Sequence, residues 1–258
     1  MLILARLKRI LRPVRPILLP IWWLVQAAPP MATRLVRRVI PRLDPLHVPR
    51  GVPIRPLGEA DYAAMTAKFP YYAGRWGYTS LALAQAAELI RRRGLRTALE
   101  MGAPVRSVIV GADVMDVTAR PVLDADVSIV IHDATISPWP VGDKAYDLFV
   151  ALQVFEHLKD RQREAFLEVR RVARHAILSL PIDWVMDDPR NCHHQIPHER
   201  VLSWFAPVVP TRVLEGNGGR RRRLIYVFED LPAPAPAPAP APESAAVGAS
   251  VRPPGAAP

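Results

Sequence analysis

The sequence predicts an α/β fold: a doubly wound, mostly parallel sheet closed by a C-terminal antiparallel hairpin. Short apolar segments alternate with amphipathic helical ones between about residues 80 and 205. One of them, VSIVIHD at 127–133, is continuous and β-branched, as a parallel strand buried on both faces is. Near the end, Asn217-Gly218-Gly219 sits between two strand-like runs, a turn signal for a hairpin. Half of the residues are apolar, enough to bury a sizeable core.

The elements follow in order. Ser80 is a helix N-cap by type, residues 81–93 carry helical periodicity, and Gly94 closes that helix. Residues 97–101 form a first strand with one acid, Glu100. Residues 113–117, 127–131 and 146–152 form the second, third and fourth strands. Residues 161–174 form a helix whose Ala165, Phe166, Val169 and Val172 make one apolar stripe. Residues 176–180 give a fifth strand, and 197–205 a short helix with Pro197 in its first turn. The runs VVPTRVLEG and RLIYVFED flank the turn and complete the hairpin. Strands joined by crossovers and ending in a hairpin leave one strand antiparallel to the rest.

Charge divides the chain into three parts. The net charge is +10, and residues 1–56 hold eleven basic residues against one acid, Asp44, which is the whole excess. The first part, 1–56, is therefore a basic extension. Residues 1–12 have Ile3, Leu4, Leu7, Ile10 and Leu11 on one helical side and Arg6, Lys8, Arg9 and Arg12 on the other. An apolar run with Trp22 and Trp23 follows, broken by prolines and too short to cross a bilayer. The pattern fits an anionic membrane surface. The alternatives are packing on the body or a cleaved signal segment. The second part, 57–230, is neutral, which argues against nucleic acid as a partner. The third, 231–258, alternates Ala and Pro and reads as a disordered tail. Cys192 is the single cysteine, so no intrachain disulfide exists, in keeping with a cytoplasmic location at or near the inner membrane face.

Ligands of such sheets bind beyond the carboxyl ends of the strands. The polar residues there are Glu100, Asp116, His132 and Asp133, Gln153 with Glu156 and His157, and Asp183 with Trp184. Their order and setting are those of a family. ALEMG at 98–102, DATISPWP at 133–140, AYDLFVALQVFEHL at 145–158, AFLEVRRVARHAILSLP at 165–181 and HHQIPHERVLSWF at 193–205 together resemble the class I S-adenosylmethionine-dependent methyltransferases. The resemblance implies a Rossmann-like methyltransferase fold with S-adenosylmethionine as cofactor. It places Glu100 and Gly102 beside the methionine portion and ribose, and Asp116 on the ribose hydroxyls. Asp133 falls on the adenine amino group, Ala134 against the ring, and Gln153 near the methyl group.

One feature departs from the family. The loop that usually carries G-x-G-x-G reads Gly102-Ala103-Pro104-Val105-Arg106, and no helix follows it before the second strand. An oxygen or nitrogen acceptor calls for a general base, and His157, His193 and His194 are the candidates. Cys192, His193 and His194 are adjacent and cannot readily surround one ion, so no metal is expected. The expected activity is methyl transfer to a small-molecule, glycan or lipid-linked acceptor. The alternative is an inactive methyltransferase-like scaffold at a membrane surface. A nicotinamide enzyme is disfavoured because no G-x-G-x-x-G follows the first strand.

Overall fold

The structure is a computed structural model, and it describes residues 46–103, 106–118, 128–218 and 221–234. The amphipathic and tryptophan-containing segments of the extension lie outside the described residues. So do Pro104 and Val105, Val127 at the start of the third predicted strand, Gly219, and residues 235–258.

The chain forms β1 (Arg55–Pro56), α1 (Glu59–Lys68), α2 (Trp76–Arg93), β2 (Ala98–Met101), β3 (Ile109–Val110), β4 (Asp113–Asp116) and β5 (Ile129–Ile131). It continues as β6 (Tyr146–Leu152), α3 (Gln162–Val172), β7 (Ala173–Pro181), α4 (His198–Phe205), β8 (Arg212–Gly218) and β9 (Arg221–Phe228). Seven strands make one sheet in the order β5-β4-β2-β6-β7-β9-β8. Every pairing from β5 to β7 is parallel, and β9 runs antiparallel between β7 and β8. This is the doubly wound, mostly parallel sheet expected, and β9 is its one reversed strand.

Both faces of the sheet are covered, and the period-two geometry of strands divides the core accordingly. On β6, Leu148 and Val150 face the helices α1 and α2, with Tyr62, Met65, Ala82, Ala86 and Leu89. Phe149 and Ala151 face α3 and α4, with Ala165, Phe166, Val169, Val201 and Phe205. The same alternation sends Ile177 one way and Ala176 and Leu178 the other. The continuous apolar run on β6 is thus the signature of a strand buried on two sides.

Several boundaries differ from the sequence reading. Helix α2 begins at Trp76, one turn before Ser80, whose hydroxyl donates to the Gly77 carbonyl at 3.1 Å rather than capping the helix. Packing decides this: Tyr78 is buried, and Trp76 packs against Tyr62 at 4.7 Å between ring centres, drawing the chain into another helical turn. At the other end Gly94 closes the helix at φ 64°, as expected. Helix α1 and the two-residue ladder of β1 with β3 were not anticipated.

The divisions at 56 and 230 also fall inside packed chain. His47 and Arg50 bond the buried carboxylate of Asp113 at 3.0 and 2.8 Å, and Tyr146 donates to it at 2.8 Å. Burial pushes the Asp113 carboxyl up, but these donors outweigh it and hold it below the usual range. Beyond residue 230, Leu231 is buried, its N–H donates to Arg174, and its carbonyl accepts from the Lys144 ammonium at 2.8 Å. Arg170 reaches the carbonyls of Pro232 and Ala233. The first residues of the Ala-Pro segment, Leu231 to Ala233, are therefore bonded to the body.

Candidate active site

The strand order reverses direction around β2, which lies between β4 and β6. Crossovers leave in opposite senses there, and a crevice opens at the carboxyl ends. A cavity of about 490 Å³ occupies that place, lined by residues from the ends of β2, β4, β5 and β6 and from the start of α2. Glu100, Gly102, Asp116, Asp133, Ala134 and Gln153 all line it, and so does His157. The volume lies in the range of ordinary cofactor sites, about 300–1,000 Å³.

Each wall has its own local cause. The β2 exit is set by Gly102, at φ 74°, where a Cβ would come 2.7 Å from a methyl of Val154. Here glycine is required by the left-handed turn and by the chain leaving β6, not by a helix behind it. Among the described residues no helix separates β2 from β4. Glu100 takes over the task of holding the loop: its Oε2 accepts from the Ser107 hydroxyl at 2.5 Å and from the N–H groups of Val108 and Ile109 at 2.7 and 3.3 Å. Burial pushes the Glu100 carboxyl up to about 7, against those donors.

Asp116 closes β4, and its carboxylate accepts from the N–H of Thr118 at 3.2 Å. After β5 the Asp133 carboxylate accepts from the N–H and hydroxyl of Thr135 at 3.0 and 2.7 Å. Ala134 is fixed from behind. Its carbonyl accepts from the buried Trp139 indole at 3.1 Å, and the Trp139 N–H donates to Glu168 at 2.7 Å. Arg171 then ties Glu168 to the carbonyls of Trp139 and Val141. At the β6 exit Gln153 sits at φ 59°, a left-handed turn that brings its amide across to Ser179 at 3.3 Å and to Arg223 at 3.3 Å.

The three histidines separate. His157 lines the cavity, and His193 packs edge-on against it with ring centres 4.9 Å apart, without lining the cavity itself. His194 turns away, its Nδ1 beside the backbone of Met186 at 3.1 Å. Burial lowers the pKa of His157 and of His193. For His193 the neighbouring His157 and Arg221, Arg75 and Arg223 lower it further, so both imidazoles are neutral at physiological pH.

The sequence reading missed one wall. Tyr62, Tyr72, Arg75, Tyr78 and Thr79 come from α1 and the start of α2. Beside them the buried Arg223 guanidinium lies between the rings of Tyr78 and Trp184, 4.6 and 4.5 Å from their centres. The density of aromatic residues between Phe69 and Tyr78 was the only available signal. Which of them turn inward depends on how α2 docks on β8 and β9.

The fold and cavity together define a Rossmann-like methyltransferase architecture, with strand order, reversed β9 and polar strand ends all in place. Residues 93–176, about a third of the chain, match the family model described as Methyltransferase domain, in line with the resemblance to the class I S-adenosylmethionine-dependent methyltransferases. Among solved structures it is similar to the N-methyltransferase NodS from Bradyrhizobium japonicum WM9 in complex with S-adenosyl-L-homocysteine. That likeness has 18% identity and a TM-score of 0.43 over 57% of this chain and 84% of that one. It is also similar to a putative type 11 methyltransferase from Sulfolobus solfataricus, at 10% identity and a TM-score of 0.40 over 57% and 92% of the two chains. Likenesses this distant say nothing of the substrate. Comparison with curated proteins finds no match.

Proposed function

We propose that the chain binds S-adenosylmethionine in this cavity and transfers its methyl group to a small-molecule, glycan or lipid-linked acceptor. The observation that carries the reading is the convergence of Asp116, Asp133 and Gln153, from the ends of three parallel strands, on one cavity with Gly102. Carboxylates accept hydrogen bonds from ribose hydroxyls and from an exocyclic amine. Asp116 is assigned to the first and Asp133 to the second, with Ala134 leaving room for a flat ring. Glu100 lines the same wall, but its carboxylate holds the loop, so it acts by shaping the site.

Among the described residues no helix N-terminus stands behind the loop to meet the methionyl carboxylate, the usual arrangement for an anion at such a strand end. Arg75 and Arg106 line the cavity and are assigned that task. Bound cofactor supplies a methyl group already activated on a sulfonium, so the protein's work is positioning and exclusion of water. Gln153, held from both sides by Ser179 and Arg223, fixes the edge nearest the transfer. His157, neutral and at the cavity wall, is placed to take a proton from an oxygen or nitrogen acceptor. The Arg223 guanidinium, between the Tyr78 and Trp184 rings and bonded to Gln153, braces the cavity wall from behind. The basic extension is assigned to an anionic membrane surface.

Calorimetric titration with S-adenosylmethionine and with its demethylated product tests the reading. Wild type binds both, and Asp133→Ala weakens binding by about 1–3 kcal/mol, the cost of leaving a buried polar partner unsatisfied. A wild-type protein that gives no heat and no thermal shift at millimolar cofactor sinks the reading in favour of an inactive scaffold.

A further inference from the structure

We propose that His157, Cys192 and His193 form a zinc site with its fourth coordination position open beside the cavity. The sequence places Cys192 and His193 next to each other, which alone cannot enclose an ion. The fold adds a third donor from 35 residues away, at the exit of β6. One ligand atom from each residue lies within 4.8 Å of the other two. The Cys192 sulfur is 3.2 Å from Nδ1 of His157 and 3.4 Å from Nδ1 of His193. A tetrahedral zinc ion with Zn–S of about 2.3 Å and Zn–N of about 2.0–2.1 Å holds sulfur and nitrogen about 3.5 Å apart. The two sulfur–nitrogen pairs therefore stand at close to coordination spacing.

A second observation points the same way. Glu156 is buried, and neither of its carboxylate oxygens has a hydrogen-bond partner. Its Oε1 lies 3.6 Å from Nε2 of His193. When Nδ1 of His193 binds the ion, its proton resides on Nε2 and is directed at Glu156. A carboxylate behind a metal-bound imidazole is the common way such a ring is oriented and made more basic. Loading thus gives the orphaned carboxylate its partner. Trp184 stacks on the other face of His193, with ring planes 15° apart, and fixes the ring. Asn191 Oδ1, which takes the Nδ1 proton at 2.8 Å in the metal-free state, keeps its second bond to the His193 N–H at 2.9 Å.

Binding replaces the Cys192 thiol proton, which leaves to solvent, with the metal. Two nitrogens and one sulfur suit zinc, and three protein ligands leave one position for water or for an oxygen or sulfur of a bound molecule. Since His157 also lines the cavity, that position opens at its edge. The site rests on these donors alone and not on methyl transfer; metal on Nδ1 of His157 and use of that ring as a proton acceptor exclude each other.

The test uses the full-length chain, stripped with a chelator, desalted and titrated with Zn²⁺ or Co²⁺ in the absence of any methyl donor. One equivalent binds, and Co²⁺ gives a near-ultraviolet sulfur-to-cobalt charge-transfer band with intense tetrahedral visible bands. Cys192→Ser, an exchange at an exposed position, abolishes the charge-transfer band and weakens Zn²⁺ binding at least tenfold. His193→Ala does the same to affinity, and Glu156→Gln weakens it about tenfold. His198→Gln, whose ring instead meets the Tyr226 hydroxyl, leaves affinity unchanged. Absence of the charge-transfer band in wild type, or Zn²⁺ affinity equal in wild type and Cys192→Ser, overturns the proposal. Either result leaves the cofactor titration untouched, so the two readings fail separately.

Discussion

Glu100 is a buried carboxylate whose hydrogen-bond donors all come from its own loop, and its position makes it a reporter of that loop's integrity. Its folded pKa is raised to about 7 from an ordinary 4.5, because burial outweighs the Ser107, Ile109 and Val108 donors. A raised acid favours the folded state most when protonated. The stability it contributes is complete below about pH 4.5 and is lost as pH rises through about 7. Glu100→Gln removes the titration while keeping an oxygen acceptor for the loop. The stability difference between variant and wild type is thus expected to move in favour of the variant by about 2–3 kcal/mol between pH 4.5 and pH 8, at 1.36 kcal/mol for each pH unit of the gap. Denaturant unfolding of both proteins across that window measures it, and parallel pH profiles would remove Glu100 as the titrating group. The residue was legible in the sequence as an acid at a strand end; its role was not. Where a family glycine loop has become Gly102-Ala103-Pro104, only the folded chain reveals that the acid now binds loop N–H groups. Asp116, Asp133 and Gln153 were legible in position because a strand end in a parallel sheet fixes both depth and direction. His194 was not, because a single residue step beyond His193 rotates the side chain onto the Met186 backbone.

At the scale of elements, the site depends on how closely α2 lies on β8. Gly216 makes that approach: a Cβ there would sit 2.6 Å from the Tyr78 Cβ and 2.9 Å from its Cα, so backbone would have to move. Tyr78 in turn lines the cavity and carries the Arg223 guanidinium on its ring. Gly216→Ala is therefore expected to cost about 1–3 kcal/mol in stability, as overpacking does, and to weaken cofactor binding as well. Thermal unfolding and calorimetry read the two effects. A variant of unchanged stability would mean that α2 accommodates the extra carbon. This coupling could not be read from the sequence, whereas the long two-faced strands could. Residues 146–152 were placed without error because continuous burial on both faces leaves one pattern. Helix α1 escaped notice because only Tyr62 and Met65 in it reach the core, too narrow a stripe to register. Strands β1 and β3 have two residues each, and their pairing comes from long-range docking. The same holds for the wall of the site built from Arg75 and Tyr78, whose inward orientation is a product of tertiary packing.

Across the whole molecule, the described residues nearest each end, His47 and Arg50 on one side and Leu231 to Ala233 on the other, are bonded to the body, and this decides where each end can be cut. Removing residues 235–258 is expected to leave thermal stability unchanged. Removing 231–258 also strips away buried Leu231 and its bonds to Arg174 and Lys144, and the melting temperature is expected to fall by several degrees. Burying a leucine contributes about 1.5–3 kcal/mol, and each kcal/mol shifts a domain of this size by about 2–4 °C. The N-terminal end needs the same care. His47 and Arg50 are bonded to Asp113, so a cut at Pro56 would damage the fold, while a cut before Leu46 removes only the segment preceding it. That segment, residues 1–45, holds nine basic residues against one acid, a net +8 of the chain's +10. Each Lys or Arg close to an anionic bilayer contributes about 1 kcal/mol, falling with ionic strength, and a few buried apolar side chains add to it. Full-length protein is expected to sediment with vesicles containing phosphatidylserine, to be released in part at high salt, and to bind neutral vesicles less. A chain starting at Leu46 is expected to stay in the supernatant with its cofactor affinity intact. Equal sedimentation of the two chains would assign any membrane contact to the folded body instead. If neither sediments, the basic segment serves a partner or the body itself.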